Sequence, residues 1–279
     1  MSYHIYGIGN ALVDQEFEVQ DAFFQQAGIE KGVMTLIDES QLNSLQATLQ
    51  SDYGVKKQAC GGSAANTIIG ASYFGAKTFY TCNVASDEGG DFYAADLKQA
   101  GVDSNINGHR DQGITGKCMV MVTPDAERTM NTFLGITSNL EEKHINEEAL
   151  ANSEYVYIEG YLVTSDTSRA AAVKVRELAR KHGVKVAVTF SDPAMTQYFR
   201  DGLLEVLGTG VDLLFCNEQE AKTMAQTTDL NQAIEFLKQY AQSFVVTLGA
   251  KGALAFDGKN TIETPAEKIT PVDTNGAGD

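Results

Sequence analysis

Apolar positions along the chain fall into two rhythms. Short, almost unbroken apolar runs (YHIYGIG, KTFYTCNVA, EYVYIEGY, KVAVTF, VDLLFC and FVVTLG) alternate with stretches of helical spacing such as TSRAAAVKVRELARKHG. Unbroken runs suit strands covered on both faces, and their alternation with helices predicts βαβ units around a parallel sheet. Two segments, 12–59 and 105–135, depart from this rhythm. In the second, GKCMVMVTP and ERTMNTFLG alternate apolar and polar residues, as half-exposed strands do. Together the two segments predict a small sheet inserted twice into a larger α/β unit built from 1–11, 60–104 and 136–279. Such a sheet would cover a cleft as a lid. Near the carboxyl end, ALAFDG and NTIETP predict two more strands before the chain reaches PVDTNGAGD. A glycine-rich loop ending in Asp normally opens a helix, which creates the expectation that the natural chain continues past Asp279.

Composition narrows the function classes. A chain of 279 residues, 43% hydrophobic and 21% charged, has enough apolar content for a sizeable core. Lys and Arg number 21 against 37 Asp and Glu, a net charge of −16. That excess repels nucleic acid and anionic membrane surfaces. No apolar stretch approaches the roughly 18 residues that span a bilayer, and the amino terminus lacks the pattern of a secretory signal. The cysteines Cys60, Cys82, Cys118 and Cys216 form no C-x-x-C pair, so they read as reduced thiols in a cytoplasmic protein. The histidines His4, His109, His144 and His182 show no metal-ligand spacing and read as structural or exposed.

An acidic protein that handles phosphates needs backbone amides, a helix terminus or a metal ion to hold them. Gly7-Ile8-Gly9-Asn10-Ala11-Leu12 begins like a dinucleotide fingerprint, but Leu12 stands where the third glycine belongs. No G-x-x-x-x-G-K-[ST] is present, which removes a P-loop. The better cradle is Asp273-Thr274-Asn275-Gly276-Ala277-Gly278-Asp279, where small residues let several N–H groups converge as an anion hole. Asp279 beside it would accept the proton of an attacking hydroxyl. The alternative is a plain turn with a helix N-cap.

DTNGAGD resembles the carboxyl-terminal signature of the ribokinase (PfkB) family of sugar and nucleoside kinases, and other segments match that family in order. Cys60-Gly61-Gly62-Ser63-Ala64-Ala65-Asn66 is similar to its di-glycine motif, Asn217-Glu218-Gln219-Glu220 to its N-x-x-E motif, and Thr247-Leu248-Gly249-Ala250-Lys251-Gly252 to its nucleotide-binding turn. Gly7 to Asp14 resembles the G-x-G-N-x-L-x-D opening of the adenosine-kinase-like members, the branch to which the likeness is closest.

The resemblance implies a ribokinase-like three-layer α/β sandwich with a mostly parallel central sheet and a small β-sheet lid. It implies an ATP-dependent phosphotransferase acting on a hydroxymethyl group of a nucleoside, with a free sugar such as fructose or ribose as the alternative. A nucleoside- or sugar-binding protein without catalysis is a further alternative. Asp279, Gly276, Ala277 and Gly278 would then be catalytic. Asn10, Asp14, Gly61, Gly62, Ser63, Asn66, Arg128 and Tyr161 would hold the acceptor. Asn217, Glu220, Thr247, Gly249, Gly252 and Thr274 would serve ATP. Asn217 and Glu220 would order Mg2+ through water, and a monovalent cation is left open. A purely structural reading stands beside several of these: Asn217 and Glu220 also fit an ordinary helix start, Gly249 and Gly252 a strand connection, Arg128 a solvated strand position and Tyr161 a core aromatic. The expected partners are a small nucleoside or sugar, with the protein a monomer or homodimer.

Overall fold

A computed structural model describes residues 2–108, 110–125, 127–269 and residue 278. Its strands, in chain order, are β1 (Tyr3–Ile8), β2 (Leu12–Glu18), β3 (Met34–Leu36), β4 (Lys57–Gly61), β5 (Thr78–Thr81), β6 (Asp103–Ser104) and β7 (Gly116–Val122). They continue with β8 (Arg128–Phe133), β9 (Ser153–Ile158), β10 (Lys185–Thr189), β11 (Val211–Asn217), β12 (Ala241–Thr247), β13 (Ala253–Phe256) and β14 (Thr261–Thr264).

Two sheets form. The larger has the order β14-β13-β12-β11-β10-β9-β1-β5-β6. From β12 through β6 every neighbour pair is parallel, and β13 and β14 add an antiparallel hairpin at one edge. The apolar runs divide between two cores because successive side chains face opposite sides. Val156 and Ile158 enter one core with helix Asp166–His182, while Tyr157 between them enters the other, where helices Ser63–Tyr73 and Glu88–Gln99 pack. Sheet and two helical layers make a ribokinase-like three-layer α/β sandwich.

The smaller sheet has the order β3-β8-β7-β2-β4 and draws its strands from the two segments where the apolar rhythm changes. The first segment also contains helices Asp21–Ala27 and Glu39–Asp52, which the sequence reading did not assign. Asp38 and Gln41 start the longer one with a reciprocal capping box. Phe23, Phe24, Leu42 and Leu49 from these helices pack on Phe17, Met119 and Met121 of one sheet face. That separate core leaves the other face, carrying Leu12, Asp14 and Cys118, turned toward the large sheet.

Candidate active site

The carboxyl ends of the large sheet's strands supply one row of groups. Asn10 follows β1, Glu159 follows β9, Ser191 follows β10, Asn217 ends β11 and Thr247 ends β12. Parallel strands bring such residues to a common edge, where ligands of open α/β sheets bind. Over the β1, β9 and β10 part of that edge, the two sheets enclose a cavity of ≈ 180 Å³.

One wall is polar: Asn10, Asp14, Ser63, Asn66, Glu159, Thr164 and Ser191. The other is mostly apolar: Leu12, Met34, Leu36, Cys118, Met130 and Leu134, with Thr132 among them. Gly62 and Tyr161 complete the lining. Alternation explains why one face of the small sheet supplies both the apolar wall and Asp14, since Leu12 and Asp14 on β2, Met34 and Leu36 on β3, and Met130 and Thr132 on β8 are i, i+2 pairs. Register sets Asp14 opposite Cys118. Burial pushes the Cys118 thiol far above its ordinary value, and the Asp14 carboxylate pushes it further, so this cysteine is a neutral thiol.

Glycines make the polar wall. A Cβ at Gly61 would lie 2.0 Å from Asp14 Oδ1, so the missing side chain is the space the carboxylate occupies. Gly61 therefore acts on the cavity through Asp14 and does not line it. Gly62 has φ +103, and a Cβ there would meet the Asn10 carbonyl oxygen at 2.3 Å. The chain can then turn directly into helix Ser63–Tyr73, which sets Ser63 and Asn66 one turn apart facing the cavity. Glu159 is buried, accepts from the Asn10 amide at 3.4 Å and from the Ala64 amide at 2.9 Å, and joins both segments.

Farther along the edge, Asn217 lies beside Thr247 in the β11–β12 ladder. Asn217 caps helix Glu218–Ala225: its Oδ1 accepts from the Glu220 amide at 2.8 Å, while Glu220 Oε2 accepts from the Asn217 amide at 2.9 Å. Burial lifts the Glu220 carboxyl to about 7, and the Asp192 charge adds to the rise. Both residues carry the hard oxygens that Mg2+ takes, but each is engaged in the cap, which suits a role through water better than direct ligation. Among the described residues no cluster of three His, Cys, Asp or Glu side chains forms a metal site. Gly249 opens a short 3-10 turn between β12 and β13, and Gly252 closes it at φ +107, where a Cβ would strike the Thr264 carbonyl oxygen. The strand-joining role of these glycines is thus plain in the geometry.

Arg128 begins β8 on the same face as Met130 and Thr132 but beyond the cavity, with its guanidinium 3.9 Å from Glu16. Asp279, Gly276, Ala277 and Thr274 lie outside the described residues, and Gly278 is exposed. The sequence reading missed Glu159, Thr164, Ser191 and the apolar wall. Glu159 had a signal: it is the first charge after the apolar run YVYI. Ser191 carries another sign of constraint, φ 69 in a residue other than glycine, with its Oγ accepting from the Gly160 amide at 2.9 Å. All four cysteines are buried and free, while His4 and His144 accept from backbone amides and His182 meets Glu147.

Comparison with known proteins decides the lineage, because the pfkB family of carbohydrate kinases matches residues 40–279. The chain belongs to that family. As a pfkB kinase it is a phosphotransferase of the carbohydrate and nucleoside kinase class. It is 27% identical to the adenosine kinase of Saccharomyces cerevisiae over 291 residues, which covers 98% of this chain and 84% of the relative. It is also 27% identical to a ribokinase of Mus musculus, over 78% of this chain and 68% of the relative. The crystal structure of adenosine kinase from Sinorhizobium meliloti superposes with a TM-score of 0.90 at 33% identity, covering all of this pfkB kinase and 84% of that chain. A probable sugar kinase from Rhizobium etli does so at 0.91 and 31%, with the same coverage.

Proposed function

We propose that this pfkB kinase moves the γ-phosphoryl group of ATP onto the hydroxymethyl group of a nucleoside of the adenosine type. The observation that carries this reading is the two-sided cavity. Asp14, Asn10 and Asn66 can hold a polyhydroxylated ring, since a carboxylate accepts from two vicinal hydroxyls at once. Elsewhere in the lining, Met34, Leu36, Met130 and Leu134 offer an apolar, deformable surface that suits a planar base. A free sugar would leave that wall against hydroxyls, forgoing roughly 25 cal/mol for each Å² of apolar contact.

In this mechanism the small sheet excludes water, so that the hydroxyl and not water attacks the phosphorus. Asp279 takes the hydroxyl proton, and the amides of 276–278 receive the equatorial oxygens of the transferred group; the motif DTNGAGD supports both assignments. Asn217 and Glu220 would hold Mg2+ through its water shell. When bound, that ion neutralises charge on the phosphates.

An acceptor panel tests the reading. With ATP, adenosine should be phosphorylated with higher kcat/KM than inosine, ribose or fructose. Preference for a free sugar by an order of magnitude would refute the nucleoside assignment, and adenosine binding without turnover in any mixture would instead favour a binding protein.

A further inference from the structure

The chain passes from the large sheet to the small one between β1 and β2, and returns between β4 and helix Ser63–Tyr73. Every acceptor-facing group on the polar wall from Asn10 to Asn66 depends on how these two crossings are held. Each is held by a buried tyrosine. Tyr80, on β5, donates to the Asn10 carbonyl at 2.9 Å. Tyr93, on helix Glu88–Gln99, donates to the Gly61 carbonyl, also at 2.9 Å. Both rings are fully buried in the same core. Burial pushes both phenols well above their ordinary value, so the hydroxyls stay protonated donors.

The local sequence makes room for this arrangement. A Cβ at Gly9 would lie 2.8 Å from the Tyr80 hydroxyl and 2.3 Å from Glu159 Oε2. Asp96, one helical turn beyond Tyr93, adds a third tie by accepting from the Cys60 amide at 2.8 Å. The carbonyls that receive the two hydroxyls belong to the residues immediately before Ala11 and Gly62. Their orientation therefore sets the path into β2, where Asp14 stands, and into the helix bearing Ser63 and Asn66.

We propose that Tyr80 and Tyr93 are positioning residues for phosphoryl transfer: from beneath the site, their hydroxyls fix the two crossings and so the height of Asp14 and Asn66 over the acceptor. This rests on the reading that the acceptor binds between the sheets. Elsewhere the small sheet is fastened independently, for example by Asp87, which accepts from the Thr115 amide at 2.9 Å. Loss of a tyrosine hydroxyl thus loosens the crossings without detaching the sheet.

The test uses Tyr80→Phe, Tyr93→Phe and, as a matched control, Tyr6→Phe. Tyr6 is equally buried and its hydroxyl accepts from Thr81 Oγ1 and the Asn146 amide, and not from either crossing. Each crossing variant should raise KM for the acceptor about tenfold, the ratio expected when one buried carbonyl loses its donor, with KM for ATP unchanged. Tyr6→Phe should lower Tm about as much as the crossing variants do and leave both KM values alone. Amide hydrogen exchange reads the same effect without any acceptor, so it does not share the fate of the nucleoside assignment. Exchange at residues 9–12 and 60–64 should quicken about tenfold in the crossing variants only. Unchanged acceptor KM and exchange in both, or equal changes in Tyr6→Phe, would overturn the proposal.

Discussion

Gly61→Ala separates acceptor binding from folding. The added Cβ would stand 2.0 Å from Asp14 Oδ1, 2.2 Å from its Cγ and 2.4 Å from Oδ2. Those contacts are impossible, but the obstacle is the end of one side chain and not backbone. Gly61 ends a strand and does not have a positive φ, so alanine suits its main chain and can even reduce the entropy lost on folding. The relief is for the Asp14 carboxylate to rotate out of the space it fills. If that carboxylate accepts two acceptor hydroxyls, each charged hydrogen bond is worth roughly 1.5–3 kcal/mol, and losing both costs about 3 kcal/mol or more. Acceptor kcat/KM should then fall about 100-fold at saturating ATP. Tm should move little. Asp14→Ala is the comparator and should fall as far. Retention of near-normal kcat/KM in Gly61→Ala, with Asp14→Ala crippled, would show that the clash does not move the carboxylate and would refute the reasoning.

Two further changes probe the phosphate side. Glu220 has a folded-state value raised to about 7, against an ordinary 4.5, so the folded protein binds the extra proton between those limits. Its ionisation therefore lowers stability as pH rises from about 4.5 to 7, a loss on the order of 3 kcal/mol that is complete above 7. Without divalent cations, Glu220→Gln should melt increasingly above the parent as pH is raised from 5 to 8. A difference independent of pH would contradict the buried, protonated carboxyl. Asp279→Asn should lower kcat by at least about 100-fold while acceptor KM barely changes, since a general base contributes on that scale. Turnover near that of the parent would remove Asp279 from the mechanism.

How far the sequence led depended on the range of each signal. Runs such as KVAVTF and VDLLFC were legible as strands because burial on both faces leaves few polar residues to confuse the period. Helix Glu39–Asp52 was not, although Asp38 and Gln41 spell its capping box. Its packing partners Phe17 and Met121 lie far along the chain. Gly252 was legible as part of a strand connection, but the physical role of Gly61, leaving space for the Asp14 carboxylate, was not. The apolar wall was illegible in principle. Met34 and Met130 become neighbours only through the β3–β8 register, which a local pattern does not encode.

The distribution of charge argues for the direction in which substrates lie. Among the described residues, the cavity's lining has two carboxylates, Asp14 and Glu159, and no Lys or Arg. Arg128, assigned to the acceptor in the sequence reading, is not among the lining residues, and its guanidinium lies 3.9 Å from Glu16. A triphosphate placed there would meet like charge at low dielectric, whereas a neutral polyol would find acceptors for its hydroxyls. Farther along the same edge, near Asn217 and Thr247, the buried acid Glu220 is largely relieved of its charge below pH 7. In a chain of net charge −16, phosphates must bind where carboxylates are neutral or matched by a cation. The β11–β12 end of the edge meets that condition better than the β1–β9 end, which is consistent with the proposed reading of an acceptor under the small sheet and ATP beyond it.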